Sequence, residues 1–518
     1  MKHIICSILL IITTTVFAQQ IATGVVFHDL NKNKQRDKGE PGIANVCVSN
    51  GKEVAKTDKS GKWVLPSSND AGFFVIKPAD YSVPLNVDNL PQHYYLHKPD
   101  GSPTTKSIGV APTGSLPMSI DFPLWAQKPE KKFSVMLFSD TQTRGLTEVN
   151  YVTRDVVEEC IGTNARFGIS LGDIVADDPN LFAEMNQSIS QIGIPWYNIF
   201  GNHDFNRGAT DNLYSDETFE RFYGPSSYAF EEGEVVFIGL KNVYFSPDGK
   251  YKGHFTEEQL AFVKNYLSLV PHNKLVVLMM HIPVVICDNR TVLFDIIQKR
   301  PYAFSVSGHT HTTIQLFLDE KYGWKGTVPH HHFVNTTVSG SWWCGLKDEV
   351  GIPHATMNDG APNGYSIVTF DGNKYSVQFK AARRPANYQM NIYWPDEVSQ
   401  AASDTLSLLV NVFAGSARSK VEFQINQQPT WIPLQLTPTR DPANQAMHEL
   451  SPYLEAEVKG TKLDKVLGWT MDKPSISTHI WAGKLPTKLS VGTHRITIKT
   501  TDMYGQTYVA YRVFRVNP

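Results

Sequence analysis

The sequence predicts a mixed α/β protein in which a central α/β unit lies between two β-sandwich domains, and three observations carry that reading. In the middle of the chain, apolar segments of strand length alternate with stretches of helical character. On either side, short alternating segments are broken by Gly and Pro, with no helical period. The composition, with 31 Pro, 36 Gly and 11% aromatic residues among 518, suits a turn-rich globular protein and excludes a disordered or fibrous one. A chain of this length has room for roughly two to four domains. Its formal charge of −2 excludes a global field for nucleic acid or anionic lipid, so any affinity for phosphate must be local.

Taken in order, residues 1–18 read as a secretory signal peptide. Lys2 precedes an apolar run from Ile4, and Ala18 supplies a small-residue cleavage position, so the protein is expected to be exported to the periplasm or the medium. The run is too short to span a bilayer, and no later segment has eighteen consecutive apolar residues, so no membrane span is expected. Cys6 lies inside this run. The other cysteines, Cys47, Cys160, Cys287 and Cys344, show no C-x-x-C spacing, which argues against a zinc knuckle or a disulfide scaffold. Cys287 and Cys344 are read either as a pair or as buried free thiols.

Residues 19–127 carry short strands near 21–27, 45–48, 62–65 and 73–76, which fits an N-terminal β-sandwich of B-type or prealbumin-like form. Within it, residues 29–40 match a twelve-residue calcium loop: Asp29, Asn31, Asn33, Asp37 and Glu40 stand at positions 1, 3, 5, 9 and 12. Gln35 offers its carbonyl at position 7, and Lys34 replaces the usual glycine at position 6. The stretch resembles the calcium-stabilised B-type repeats of bacterial surface proteins, and two readings stay open, one structural calcium or a plain polar hairpin. A polar linker around 128–132 opens the central domain, 128–385. Alternation returns in 386–518, near 405–413, 421–425 and 492–498, and is similar to the closing strands of an immunoglobulin-like β domain.

The central domain holds the chemistry. Five apolar segments run out into metal-ligand residue types: 133–138 into Asp140 and Gln142; 167–171 into Gly172-Asp173; 196–200 into Gly201-Asn202-His203-Asp204; 274–280 into His281; and 303–307 into Gly308-His309-Thr310-His311. Ligands gather at the carboxyl ends of strands in open α/β sheets, so the five tips are expected to converge. Segments 149–164 and 257–269 supply helices. In order and type these segments resemble the motif set of the calcineurin-like metallophosphoesterases: D-x-H, GD, GNH with D or E, a lone H, then GHxH. The resemblance implies a two-sheet sandwich flanked by helices over 133 to about 385, and a phosphoesterase activity.

The residue types suit that activity on chemical grounds. Cleaving a phosphate ester at neutral pH needs a hydroxide and neutralisation of phosphoryl charge, and two divalent ions about 3.5–4 Å apart provide both. Imidazole and carboxylate suit borderline or hard ions, with no cysteine needed. The resemblance implies Asp140, Asp173 and His311 on one ion, and the bridging Asp173 with Asn202, His281 and His309 on the other. Gln142 stands where the family has histidine, which leaves the metal open among Mn, Zn, Fe and Mg. His203 is expected as general acid or phosphate stabiliser, oriented by Asp204. Asp177 and Asp178 either face substrate or cap the helix that Pro179 opens. Trp342 and Trp343 are read as a substrate platform or as packing, and His331 or His332 as phosphate-reaching or satisfied within the fold. The expected function is an exported binuclear phosphoesterase acting on a monoester or diester of a small-molecule or cell-envelope substrate. The alternatives are a nucleotide or nucleotide-sugar pyrophosphohydrolase on the same scaffold, and a surface glycan-binding protein without turnover. No nucleic-acid partner is expected beyond a nucleotide substrate, and the oligomeric state is not legible.

Overall fold

A computed structural model describes residues 20–461 and 471–518. The segment read as a signal peptide lies outside the described residues. The centre of the molecule is two sheets face to face. The first has five strands in the order Trp196–Asn198, Phe167–Ser170, Lys132–Phe138, Gly364–Asp371, Lys374–Ala381; the first three are parallel and the last two form an antiparallel hairpin. The second has six, in the order Tyr228–Glu232, Val235–Gly239, Leu275–Met279, Ala303–Ser307, His330–Val334, Ile314–Leu318, parallel inside and antiparallel at both edges. Val235–Gly239 and Leu275–Met279 are buried along their whole length, because both faces of a parallel sheet are covered. Phe133, Leu137, Phe167, Phe237, Val277 and Phe304 fill the space between the sheets.

Helices close the outer faces. Leu146–Val152 and Phe182–Ser190 lie on the first sheet, packing Val152, Phe182 and Met185 with Phe138 and Trp196. Glu257–Leu267 and Arg290–Ile297 contribute Phe262 and Phe294 to the main core. Glu257–Leu267 starts where it does because Thr256 and Gln259 form a reciprocal capping box: the Gln259 N–H donates to Thr256 Oγ1 and the Thr256 N–H to Gln259 Oε1.

The N-terminal region is a pair of four-stranded sheets around Trp63, Phe73 and Phe122. The C-terminal region is also two sheets, of four and five strands, around Trp394, Phe423, Trp481 and Phe514. It carries in addition the helix Pro442–Val458, which the alternating pattern did not predict. Only Asn444 of that helix is buried, so it has no apolar stripe to read; its signals are Asp441, whose carboxylate accepts from the Ala443 and Asn444 N–H groups, and Pro442 at the first position. Cys287 and Cys344 do not pair: both are free and buried, Cys287 taking an N–H from Asn242. No helix among the described residues is long and apolar enough to cross a membrane.

Buried charges tie the N-terminal sandwich to the central domain. Lys77 Nζ lies 3.0 Å from Glu232 Oε2 and donates to the carbonyls of Tyr81 and Glu231, while Arg166 Nε donates to Glu232 Oε1 at 3.0 Å. Lys98 sits among Glu217, Glu220 and Asp70 at 2.8–2.9 Å. Removing one partner of a buried pair strands the other in a poor solvent for charge. Glu232→Ala is therefore expected to lower the unfolding free energy by about 3–5 kcal/mol in chemical denaturation; a change within 0.5 kcal/mol, about the range of ordinary surface substitutions, would show that this tie does not hold the domains.

Candidate metal centre

Each tip leaves its strand at the same end of the two sheets, and the side chains meet. His281 Nε2 lies 2.9 Å from Asn202 Oδ1, 3.2 Å from Asp173 Oδ2 and 3.2 Å from His309 Nδ1. Gln142 Nε2 is 3.3 Å from Asp173 Oδ2, and His311 Nε2 is 3.7 Å from Asp140 Oδ1. Asp140 also receives the His309 N–H at 3.1 Å, and Asp173 the His203 N–H at 2.8 Å. Among the described residues, Asp173, His281 and His309 hold ligand atoms within 4.8 Å of one another. The structure thus gathers Asp140, Gln142, Asp173, Asn202, His281, His309 and His311 at one place.

The local backbone explains why the motifs need their glycines. A Cβ on Gly201 would lie 2.0 Å from the Asp173 nitrogen and 2.3 Å from its Oδ1, and one on Gly172 would lie 2.5 Å from His281 Nδ1. Five of the seven candidate ligands, Asp140, Gln142, Asp173, His309 and His311, take left-handed φ between 43° and 77°. Such non-glycine conformations cost about 1–3 kcal/mol each and persist only where surrounding structure enforces them.

The chemistry of the donor set fits a metal. His281 Nδ1 faces the Leu171 carbonyl at 2.8 Å and so carries its proton there, which leaves Nε2 as a lone pair among the oxygens of Asn202 and Asp173 and the nitrogen of His309. The carbonyl oxygen Oε1 of Gln142 is buried with no partner. Gln142 turns its Nε2 donor to Asp173, whereas the acceptors around His281 Nε2 repel one another unless a cation sits between them. Without one, a proton takes its place: burial opposes the charge of His281, but the Asp173 carboxylate outweighs it and lifts the imidazole to about 9. Asp173 is correspondingly held below the usual carboxylate range, the charge and hydrogen bond of His281 overcoming its burial. Burial, with the Asp173 charge beside it, pushes Asp140 upward. Burial and the His281 charge drop His309 to about 3, and burial takes His311 to about 4, so both are neutral ligand types at neutral pH.

Around this cluster the structure reassigns several side chains. Asp204 does not orient His203: its carboxylate accepts the N–H groups of Ile174, Val175 and Gly201 at 2.8–3.1 Å and staples the Gly172-Asp173 and Gly201-Asn202 turns together. Asp177 is the partner of His203, at 2.7 Å from Nδ1, and is itself held by Arg207 at 2.6 Å. Asp178 caps the turn Pro179–Leu181. The two tryptophans separate. Trp343, 1% exposed, donates to the Thr141 carbonyl and packs on Tyr151, so it is core and not a platform. Trp342, 41% exposed, donates its indole N–H to His311 Nε2 at 2.7 Å and lies edge-on to His203. His331 and His332 are not at the site. His331 lies inside the second sheet, paired in register with Phe304, and bonds the Tyr375 hydroxyl; His332 bonds Ser305 and Ser307. Arg207 and Tyr251, whose ring faces His309, were not signalled by any motif: Arg207 lies in an irregular loop just past GNHD, and Tyr251 comes from a distant hairpin.

Histidine and carboxylate side chains on strand tips, with no cysteine among the candidate ligands, define a site for borderline or hard divalent ions. Comparisons place it more closely. Residues 133–313 match calcineurin-like phosphoesterase, residues 30–112 match the N-terminal and residues 332–508 the C-terminal region of calcineurin-like phosphoesterase. The chain belongs to the calcineurin-like phosphoesterases, in a form with an added region at each end, and is by class a metal-dependent phosphoester hydrolase. Among solved structures, a purple acid phosphatase from yellow lupin (Lupinus luteus) seeds is similar over 65% of this chain and 67% of its own, at 11% identity and a TM-score of 0.35. The spore cortex lytic enzyme SleM of Clostridium perfringens aligns over 75% of this chain and 99% of its own, at 11% identity and a TM-score of 0.17. No curated protein matches.

The reassignment of the two aspartates has a direct test. Asp204→Ala leaves three buried N–H groups without an acceptor and is expected to cost at least about 2 kcal/mol of stability and most of the bound metal. Asp177→Asn, at a half-exposed position, is expected to leave the melting temperature and metal content unchanged. Equal loss in the two variants would overturn the assignment.

Proposed function

We propose that the chain hydrolyses a phosphomonoester or phosphodiester at two divalent ions, and the convergence of the lone pairs of Asn202, Asp173, His281 and His309 on one point is the observation that carries the reading. One ion position takes those four residues; the other takes Asp140, Gln142, Asp173 and His311. Divalent ions there supply Lewis acidity and a nucleophile drawn from water at neutral pH. The second position is the weaker, because Gln142 offers a neutral oxygen and His311 Nε2 receives the Trp342 indole N–H.

His203 is suited to give a proton to the departing ester oxygen. Burial opposes its charge, but the hydrogen bond to Asp177 and the charge of Asp173 outweigh that and raise its pKa. Asp177, held low by its bonds to His203 and Arg207 despite partial burial, stays ionised and keeps the imidazole turned to the cleft. The rim favours a substrate with a flat or sugar-bearing group. Trp342 and Tyr251 are both partly exposed, each with its ring 6.1 Å from a site histidine, which supports a nucleotide or nucleotide-sugar pyrophosphate as a second reading.

Asp173→Asn is expected to abolish hydrolysis of both p-nitrophenyl phosphate and bis(p-nitrophenyl) phosphate in the presence of Mn²⁺; retained turnover would refute the metal reading. His203→Ala is expected to cost about 10²–10⁴-fold on phenyl phosphate, whose leaving group needs a proton, and clearly less on the p-nitrophenyl ester. The sign of the pH effect follows from the raised pKa. Activity on the phenyl ester needs protonated His203, so it falls as pH rises through that pKa. Asp177→Asn removes part of what raises it and should move the alkaline limb of kcat to lower pH. An unmoved limb would assign the proton to another group.

A further inference from the structure

The N-terminal sandwich carries a second cluster of oxygen donors, outside the cleft and unused by the reading above. We propose that loop 29–40 binds one calcium ion through Asp29, Asn31, Asn33, Asp37, Glu40 and the Gln35 carbonyl. The loop follows the strand Ile21–His28 and closes on itself. The Lys34 N–H donates to Asp29 Oδ2 at 2.9 Å, and Glu40 accepts the N–H groups of Leu30 and Asp37 at 2.9 Å. Asn31 and Asn33 both turn their side chains onto one oxygen of Asp37, at 2.7 and 2.8 Å. Lys34 takes the left-handed conformation, φ 67°, that glycine takes at this position of a calcium loop, so the departure in sequence does not alter the turn.

Two observations beyond the loop's shape point to a cation. The carboxylate of Asp29 is 1% exposed and fixed from both sides, by the Lys34 N–H and by the indole N–H of Trp125 on the strand Phe122–Ala126 at 3.1 Å, yet its other oxygen, Oδ1, is buried with no partner. A buried carboxylate oxygen is rarely left in that state. Second, the loop contains Lys32, Lys34, Arg36 and Lys38, but among the described residues no cationic side chain pairs with Asp29, Asp37 or Glu40; Lys32 instead lies over the Trp125 ring at 5.3 Å. Three carboxylates thus stand within twelve residues without a cationic partner, met only by backbone N–H groups, the Trp125 indole and the amide nitrogens of Asn31 and Asn33. All donors are oxygens of carboxylate, amide or backbone on a flexible loop, which suits calcium over the smaller, strictly octahedral magnesium.

Terbium, which takes calcium positions, tests this on the full chain through emission sensitised by the adjacent Trp125 on indole excitation. Emission that is saturable, displaced by Ca²⁺, retained in Asp173→Asn and weakened at least tenfold in both Glu40→Gln and Asp37→Asn is the expected result. Phosphoesterase turnover of the two loop variants should equal that of the parent, because the side chains of Asp37 and Glu40 bond only within the loop and not to any cleft residue. Asp37 is exposed, so its substitution tests the ligand set even if Glu40→Gln perturbs folding. Emission that is absent from the parent, indifferent to both loop substitutions, or lost in Asp173→Asn would overturn the proposal. The last outcome would place the ion in the cleft and leave the metallohydrolase reading standing.

Discussion

Mutual repulsion among convergent acceptors is the constraint on which the catalytic half of this molecule is built. Asn202 Oδ1, Asp173 Oδ2, His281 Nε2 and His309 Nδ1 crowd a single point, an approach their lone pairs oppose unless a cation, or a proton on His281, stands between them. It is enforced from outside. The Leu171 carbonyl fixes the tautomer of His281, the Gly340 carbonyl fixes that of His311, and Asp204 gathers three N–H groups from two different turns. Each of these supports comes from a strand end or the loop beside it, which ties the chemistry to the pairing of the sheets and not to any one motif.

The left-handed backbone at five candidate ligands belongs to the same account. Energy stored there must be met by packing elsewhere, and part of that packing comes from the C-terminal domain. Asp359 accepts the N–H of Thr313, two residues past His311, and is itself held by His479, while the Asn358 N–H bonds the His311 carbonyl and Asn444 bonds the carbonyls of Met357 and Asn358. The brace reaches the site through main-chain groups, so it sets where His311 stands without touching a reactant.

Much of the site was legible because metal chemistry restricts residue type and strand ends restrict position. Asp140, Asp173, Asn202, His281, His309 and His311 follow apolar runs short enough to be only strands, and their order carries the family. What escaped reading depended on side-chain direction. Asp204 adjoins His203 in sequence while Asp177 stands 26 residues before it, and only the folded turns show that the neighbour faces inward to backbone amides and the distant carboxylate meets the imidazole. Trp342 and Trp343 are neighbours with opposite fates for the same reason, since two successive left-handed residues send one ring to the cleft and the other to the core. His331 stayed open between reaching phosphate and being satisfied within the fold because strand register is invisible in a single chain; pairing with Phe304 sets it well back from the tip. The helix Pro442–Val458 escaped because a helix with almost no buried face leaves no periodic trace.

The ionic ties at Lys77 and Lys98 bear on how such a chain can be rearranged. Half of each charged group lies in the sandwich and half in the central domain, with Glu232, Glu217 and Glu220 on the far side of the linker from their lysines. A catalytic fragment trimmed at the linker would carry orphaned acids on a surface shaped to be covered, and a graft from a cousin would inherit mismatched signs. Modularity in this chain stops at the level of topology: its pieces look separable on a diagram, but in electrostatic terms they form one unit.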